Sequence, residues 1–162
     1  GKVWKYGDNV NTDVIFPGRY TYQIMTPAEM AQHAMEDLDP GFAAKVKPGD
    51  VIVAGKNFGC GSSREQAAAC LKAAGVQAVV AKSFARIYFR NAINLGLAVL
   101  QSDGAVDALE AGEPVDIDLA HGRIRSAKGT FLFLPLPASV LGIIEAGGLI
   151  EYTKKKLEQE QE

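Results

Sequence analysis

The chain has 162 residues, 48% hydrophobic and 22% charged, and a formal net charge of −2. That length is near the usual size of one domain and long enough to bury a core without metals or disulfides. The balance of charge argues against a nucleic-acid binder that relies on a basic surface, and no run of 18 or more apolar residues predicts a membrane span.

The opening residues do not read as a signal peptide. Residues 1–6, GKVWKY, alternate and predict a first strand packed through Val3 and Trp4. GDNVNTDVIFPGRY follows, rich in turn formers. Asp8, Thr12 and Asp13 sit there as polar groups between apolar residues, either a site or simple Asx turns. Arg19, Tyr20 and Tyr22 follow Pro17-Gly18 and form a plausible exposed lip. Thr26, Pro27 and Glu29 predict a capped helix over 26–38, with Met30, Ala31, Ala34, Met35 and Leu38 on its apolar face and His33 on its surface. KPGD then turns the chain into VIVA, a buried strand at residues 51–54.

The stretch GKNFGCGSSREQAAAC, Gly55 to Cys70, carries the chemistry. Gly55, Gly59 and Gly61 allow tight turns and close approach to a ligand. Ser62 or Ser63 can cap the Ala-rich helix that follows, and Ser63 with Gln66 makes a capping box. First-turn N–H groups and the helix dipole then favour an anion, and Arg64 adds a two-pronged cation suited to a carboxylate. A structural cap alone is the competing reading. The spacing is neither GxGxxG nor a P-loop, so nucleotide motifs are absent. Cys60 lies in the loop with no His or Cys close in sequence to activate it, and Cys70 reads as a small buried residue.

VQAVVA at 76–81 and LAVL at 97–100 predict two more buried strands. Between them SFARIYFRNAINLG predicts a helix with Ser83 as a possible cap. The order strand–helix–strand–helix–strand predicts a parallel sheet, with the glycine loop beyond the carboxyl end of strand 51–54, where such sheets bind ligands. Lys82, Ser83, Arg86 and Arg90 follow the next strand end. Arg86 and Arg90 share one helix face, either to meet an anion or as ordinary solvated charge. Beyond them, VDALEAG reads as a short helix, PVDIDLAHGRIRSA as a hairpin turning at His121-Gly122, and TFLFLPLP as a strand. A last helix begins near Ala138, is interrupted at Gly147-Gly148, and ends in a charged tail, about 153–162, expected to fray. No internal repeat or linker divides the chain, which reads as one domain over 1–162. A serine in an electropositive loop can act as a base only if strongly preorganised donors stabilise its alkoxide. No GxSxG elbow or neighbouring His supports an ordinary serine triad. The missing electrophile must come from elsewhere.

Three segments, GDNVNTDVIFPGRY, GKNFGCGSSREQAA and AKSFARIYFRNAINLGL, resemble in order and spacing the small subunits of 3-isopropylmalate dehydratase, of the aconitase superfamily. The chain is also similar to the swivelling domain of aconitase. The resemblance implies an α/β swivelling β/β/α domain, like aconitase domain 4, with a partly parallel central sheet flanked by helices. It implies a partner large subunit, as heterodimer or heterotetramer, whose three cysteines hold a [4Fe–4S] cluster, this chain holding no cofactor or metal. By the same resemblance Ser62 is the alkoxide base, Ser63 helps hold a substrate carboxylate, and Arg64 binds carboxylate and steadies the charge of Ser62. Asp13 supports proton transfer beside Thr12, a further substrate contact. The implied reaction is cytoplasmic interconversion of 2- and 3-isopropylmalate through the unsaturated diacid, a step of leucine biosynthesis. The loop Arg19 to Thr26 implies substrate choice, with Tyr22, Ile24 and Met25 suiting an isopropyl group and Arg19 suiting an extra carboxylate. Small subunits of homoaconitase, citraconate hydratase and dimethylmalate dehydratase share these motifs. A stand-alone carboxylate-binding domain, and a hydrolase with His33 or His121 near Ser62 or Cys60, are the competing readings. Self-association stays open.

Overall fold

The computed structural model describes residues 1–161. Four apolar runs build its main sheet: β1 (Val3–Lys5), β2 (Val51–Val53), β3 (Ala78–Ala81) and β4 (Ala98–Gln101). They lie side by side in sequence order, all parallel, with Val53 opposite Val80 and Val80 opposite Leu100. β2 and β3 are continuous apolar runs rather than alternating ones because both their faces are covered, and they are buried throughout.

Two helices make the crossovers. Helix α4 (Gln66–Ala73) joins β2 to β3, and α5 (Arg86–Asn94) joins β3 to β4. The alanines of α4 let it lie close: Ala67, Ala68, Cys70 and Leu71 are all buried. Burial drives the Cys70 thiol pKa well up, so it packs as an inert apolar group. Helix α6 (Asp103–Ala108) follows β4, capped by Ser102. A second, antiparallel sheet, β5 (Val115–Asp118), β6 (Arg123–Ser126) and β7 (Gly129–Leu132), comes next, with its first hairpin turning through His121-Gly122 as predicted. Backbone bonds from Val3 N to Glu113 O and from Val115 N to Gly1 O, both 2.9 Å, tie this sheet's start to β1. Helices α7 (Ala138–Ala146) and α8 (Leu149–Gln161) close the chain, separated at Gly147, which takes a left-handed φ of 93°. The charged tail expected to fray is helical through Gln161. No helix among the described residues is long and apolar enough to cross a membrane.

Before β2 the chain departs from expectation. GDNVNTDVIFPGRY is not all turn: Asn11 caps a one-turn helix α1 (Thr12–Ile15), its side chain accepting from Asp13 N at 2.7 Å. The helix predicted over 26–38 stops early, as α2 (Pro27–Gln32). Its Thr26 cap and Pro27 are as expected, but the N–H of Met35 leaves the helical path to bond Ile15 O at 2.7 Å, and Met35 takes a φ of 59°. That tertiary bond buries Ala34 and Met35 completely, whereas Leu38, assigned to the same apolar face, is exposed. A further turn of helix, α3 (Phe42–Lys45), occupies what reads in sequence as a plain connection. Asp50, in the predicted KPGD turn, is buried and accepts from Lys2 N, Lys47 N and the Trp4 indole, each at 3.0 Å. Burial alone would raise its pKa; the Trp4 and backbone donors outweigh burial and hold it below the usual carboxylate value.

Candidate active site

The glycine loop leaves β2 at the carboxyl end of the parallel sheet, as the strand order predicts. Its path is fixed by two left-handed glycines. Gly59, at φ 83°, lies under the Tyr88 ring, where a Cβ would come within 2.2 Å of the ring. Gly61, at φ 96°, leaves room for the Asn11 amide, which a Cβ would meet at 2.7 Å. Any other residue at either place would push away the element that closes the site.

Four groups then bind the loop to the segment 11–21. Thr12 N donates to Cys60 O and the Thr12 hydroxyl donates to Ser62 O, both at 2.8 Å. The Arg64 side chain, 9% exposed, reaches back the other way. Its guanidinium donates to Asp13, to the Thr21 hydroxyl at 2.7 Å and to Phe16 O at 3.1 Å. Gln66 adds a bond from its amide to Thr21 O at 3.2 Å. The Arg64 Nε is buried with no acceptor among the described residues.

This clasp explains why the capping box predicted from Ser63 and Gln66 does not form. Helix α4 starts at Gln66, after Glu65, with no side-chain cap, so residues 61–65 stay outside the helix. Arg64 must reach residues 13–21, and Gln66 bonds Thr21 rather than the backbone near Ser63. Ser62 and Ser63 are left exposed, with neither hydroxyl hydrogen-bonded among the described residues.

The serines open on a cleft of about 260 Å³ lined by Thr12, Ser62, Ser63, Arg64, Arg86 and Asn91 among others. Ser62, Ser63, Arg64 and Thr12 are therefore brought together, with Asp13 attached through Arg64. Thr12 is 2% exposed and its hydroxyl is committed to Ser62 O, so it positions the serine loop rather than offering a free donor to a ligand.

The predicted specificity residues lie apart from this cleft. Ile24 and Met25 line a neighbouring hollow of about 450 Å³ together with Phe16, Met30 and Gln66. Tyr22 and Ile24 project fully into solvent. Arg19 pairs with Glu36 at 2.7 Å and Asp37 at 3.0 Å and lies over the Tyr20 ring. Lys82, a further candidate for the cleft, instead pairs with Asp107 at 2.7 Å, and Ser83 accepts from Asn57 N rather than capping α5. His33 stacks on Tyr20 and bonds Glu36, while His121 bonds Asp118. Neither histidine lines the serine cleft or bonds Ser62 or Cys60, which removes the hydrolase reading. Among the described residues no three His, Cys, Asp or Glu side chains gather where they could hold a metal ion.

Comparison with known proteins decides the family. A family model described as the aconitase C-terminal domain matches residues 9–104, more than half of the chain. The 3-isopropylmalate dehydratase small subunit of Thermodesulfovibrio yellowstonii is 51% identical over 162 residues, covering 99% of this chain and 96% of that protein. The chain belongs to the family of 3-isopropylmalate dehydratase small subunits. A second small subunit, from Caldicellulosiruptor bescii, is 52% identical over 99% of this chain and 97% of that protein. The crystal structure of 3-isopropylmalate dehydratase from Methanocaldococcus jannaschii superposes with a TM-score of 0.91 at 46% identity, covering 99% of this chain and 96% of that one. The parallel sheet flanked by helices is thus the swivelling-domain architecture of this small-subunit family, as the resemblance implies.

Two features of the cleft escaped sequence reasoning. Thr21, which receives both Arg64 and Gln66, is an ordinary threonine in a tyrosine-rich segment and gives no local signal. Ala85 is the N-cap of α5, so the helix begins five residues after strand β3 ends and three after Ser83. An alanine where a capping residue belongs was the available sign that this helix end is left open.

Proposed function

We propose that this chain is the small subunit of a 3-isopropylmalate dehydratase, a hydro-lyase that interconverts 2- and 3-isopropylmalate and is inactive without its large subunit. The observation that carries this reading is a pair of unbonded serine hydroxyls held beside a buried arginine, in a chain that aligns end to end with such small subunits.

Ser62 is the base that takes the proton from carbon. A serine alkoxide needs fixed positive charge nearby, which the Arg64 guanidinium supplies from a position set by Thr21 and Phe16 O. Asp13, paired to the same guanidinium, tunes that charge and connects it to solvent at the cleft edge. Thr12 holds the carbonyl of Ser62 and so fixes the direction of its side chain. Ser63 donates to a substrate carboxylate. When the large subunit is bound, its [4Fe–4S] cluster supplies a Lewis acid for the substrate hydroxyl and carboxylate.

The lip supports the apolar substrate. Arg19 is already matched by two carboxylates, and the side chains that reach outward are Tyr22 and Ile24. An isopropyl group suits that surface better than a third carboxylate does. We read residues 1–162 as one swivelling unit, supported by the bonds between β1 and the start of β5. The complex is assigned to the cytoplasm, whose reducing conditions suit a thiolate-held cluster.

The test is an anaerobic assay of this chain with its cluster-loaded large subunit, following the unsaturated diacid by ultraviolet absorbance. Isopropylmalate, homocitrate and citramalate are offered side by side. Turnover of isopropylmalate by the mixture, and by neither chain alone, is expected. Preference for another acid overturns the substrate, and no turnover by an intact complex overturns the reading.

A further inference from the structure

Three acceptors hold the Arg64 guanidinium, and they are not equal. Phe16 offers a main-chain carbonyl at 3.1 Å, which no side chain supplies. Asp13 offers a carboxylate, but that side chain is 59% exposed, against 9% for Arg64. Water and salt screen such a pair, so it does little to hold either side chain still. Thr21 offers a half-buried hydroxyl, 2.7 Å from one terminal nitrogen of Arg64. A charge-assisted bond of that length, partly shielded from water, is the firmer of the two side-chain grips.

The direction of that bond is fixed. A guanidinium only donates, so the Thr21 oxygen accepts from Arg64 and turns its own proton elsewhere. It finds Gly18 O at 2.7 Å, which also accepts from Thr21 N at 3.1 Å. A hydroxyl that donates in this way is the better acceptor, so the two bonds strengthen each other. The Thr21 carbonyl is used as well, accepting from the Gln66 amide at 3.2 Å. N–H, hydroxyl and carbonyl of this one residue are all bonded. They tie it to Arg64, just ahead of α4, and to Gln66, the first residue of α4. Thr21 is also the root of the lip, since Tyr22, next in the chain, lies fully in solvent. Thr21 does not line the serine cleft, whereas Arg64 does. Any effect it has on chemistry must therefore pass through Arg64.

We propose that Thr21 is a positioning residue of the reaction: its hydroxyl sets where the Arg64 guanidinium stands, and through Arg64 the positive charge offered to Ser62. The proposal rests on the dehydratase reading for its catalytic consequence. An alkoxide is stabilised only by charge already fixed in place, so a loosened guanidinium costs rate rather than affinity. Lip and base then share one joint. A shift of the lip at its root displaces the arginine, whereas a change farther out, at Tyr22 or Ile24, does not.

The test compares Thr21→Val, which keeps the shape and removes the hydroxyl, with Thr21→Ser, which keeps the hydroxyl. In the reconstituted two-subunit enzyme Thr21→Val lowers kcat for isopropylmalate about tenfold with a smaller change in KM, and Thr21→Ser recovers most of the rate. A second reading needs no turnover. The Arg64 Nε is buried, so its N–H is shielded from exchange and gives a signal in the 15N-labelled chain that Arg64→Lys removes. That signal moves in Thr21→Val and keeps its place in Thr21→Ser. Wild-type kcat in Thr21→Val overturns the proposal, whether or not Tm falls. An Arg64 signal unmoved by Thr21→Val also overturns it. So does a Thr21→Ser enzyme as slow as Thr21→Val, because the hydroxyl is then not the cause. If the wild-type complex fails to turn over isopropylmalate while the signal moves in Thr21→Val alone, the dehydratase reading falls and the hold of Thr21 on Arg64 stands.

Discussion

Serines follow three strands of the parallel sheet, directly after β4, two residues after β3 and nine residues on in the loop after β2, and they differ in one respect. After β4, Ser102 is 6% exposed and its hydroxyl works twice, accepting from Ala105 N at 3.3 Å and donating to Leu132 O at 2.8 Å. After β3, Ser83 accepts from Asn57 N at 2.8 Å and so pins the glycine loop from the side. After β2, the hydroxyls of Ser62 and Ser63 bond nothing among the described residues, although Ser62 is gripped through its carbonyl. Ser83 and Ser102 use their side chains to build the fold, whereas Ser62 is held through its carbonyl and its hydroxyl stays unbonded among the described residues. A polar group held firmly by its neighbours yet left unbonded is what sets Ser62 apart from Ser83 and Ser102.

Substitution at these endings sharpens or breaks that contrast. The largest effect is expected for Ser62→Ala, which should lower kcat of the assembled enzyme about a thousandfold while leaving Tm and large-subunit binding unchanged. A near wild-type rate would falsify the base assignment. Arg64→Lys comes next. A compact ammonium lacks the two separated, coplanar nitrogens that reach Thr21 from one and Asp13 and Phe16 O from the other, so kcat/KM should fall about ten- to a hundredfold, with some loss of Tm. Unchanged kinetics would mean that the clasp is incidental to the reaction. Ser102→Ala is the smallest. It should leave kinetics alone and cost about 1–2 kcal/mol of stability in urea unfolding, through a lost cap and an unpaired carbonyl. If it instead impaired catalysis with stability intact, the division between structural and chemical serines would fail.

The inner strands were legible because β2 and β3 are short, continuous apolar runs, a pattern set by burial on both faces, and because glycines stand just after β2 at Gly55 and just before β3 and β4 at Gly75 and Gly96. The hairpin at His121-Gly122 and the Thr26-Pro27 helix start were legible for similarly local reasons. What escaped depends on partners distant in sequence. The early end of α2 comes from Met35 bonding Ile15, and no local propensity foretells it. The Ser63–Gln66 box is locally reasonable but loses to Arg64 and Gln66 bonding Thr21, more than forty positions away. The cleft followed the same division. Its serines and arginine were recognisable from one stretch of chain, whereas the place of Arg86 required knowing that the end of α5 faces them. The lip residues Ile24 and Met25 line the neighbouring hollow rather than the serine cleft.

The attachment of Thr21 has a practical consequence for engineering. Thr21 is fastened to Gly18 O, Arg64 and Gln66, and Thr26 is fastened to Glu29 N as a helix cap. Between these two fixed posts, residues 22–25 form a four-residue cassette with two side chains wholly in solvent. The two exposed residues, Tyr22 and Ile24, can be exchanged without loosening either post. A library confined to those two positions therefore varies this exposed segment while Ser62, Ser63 and Arg64 keep their places.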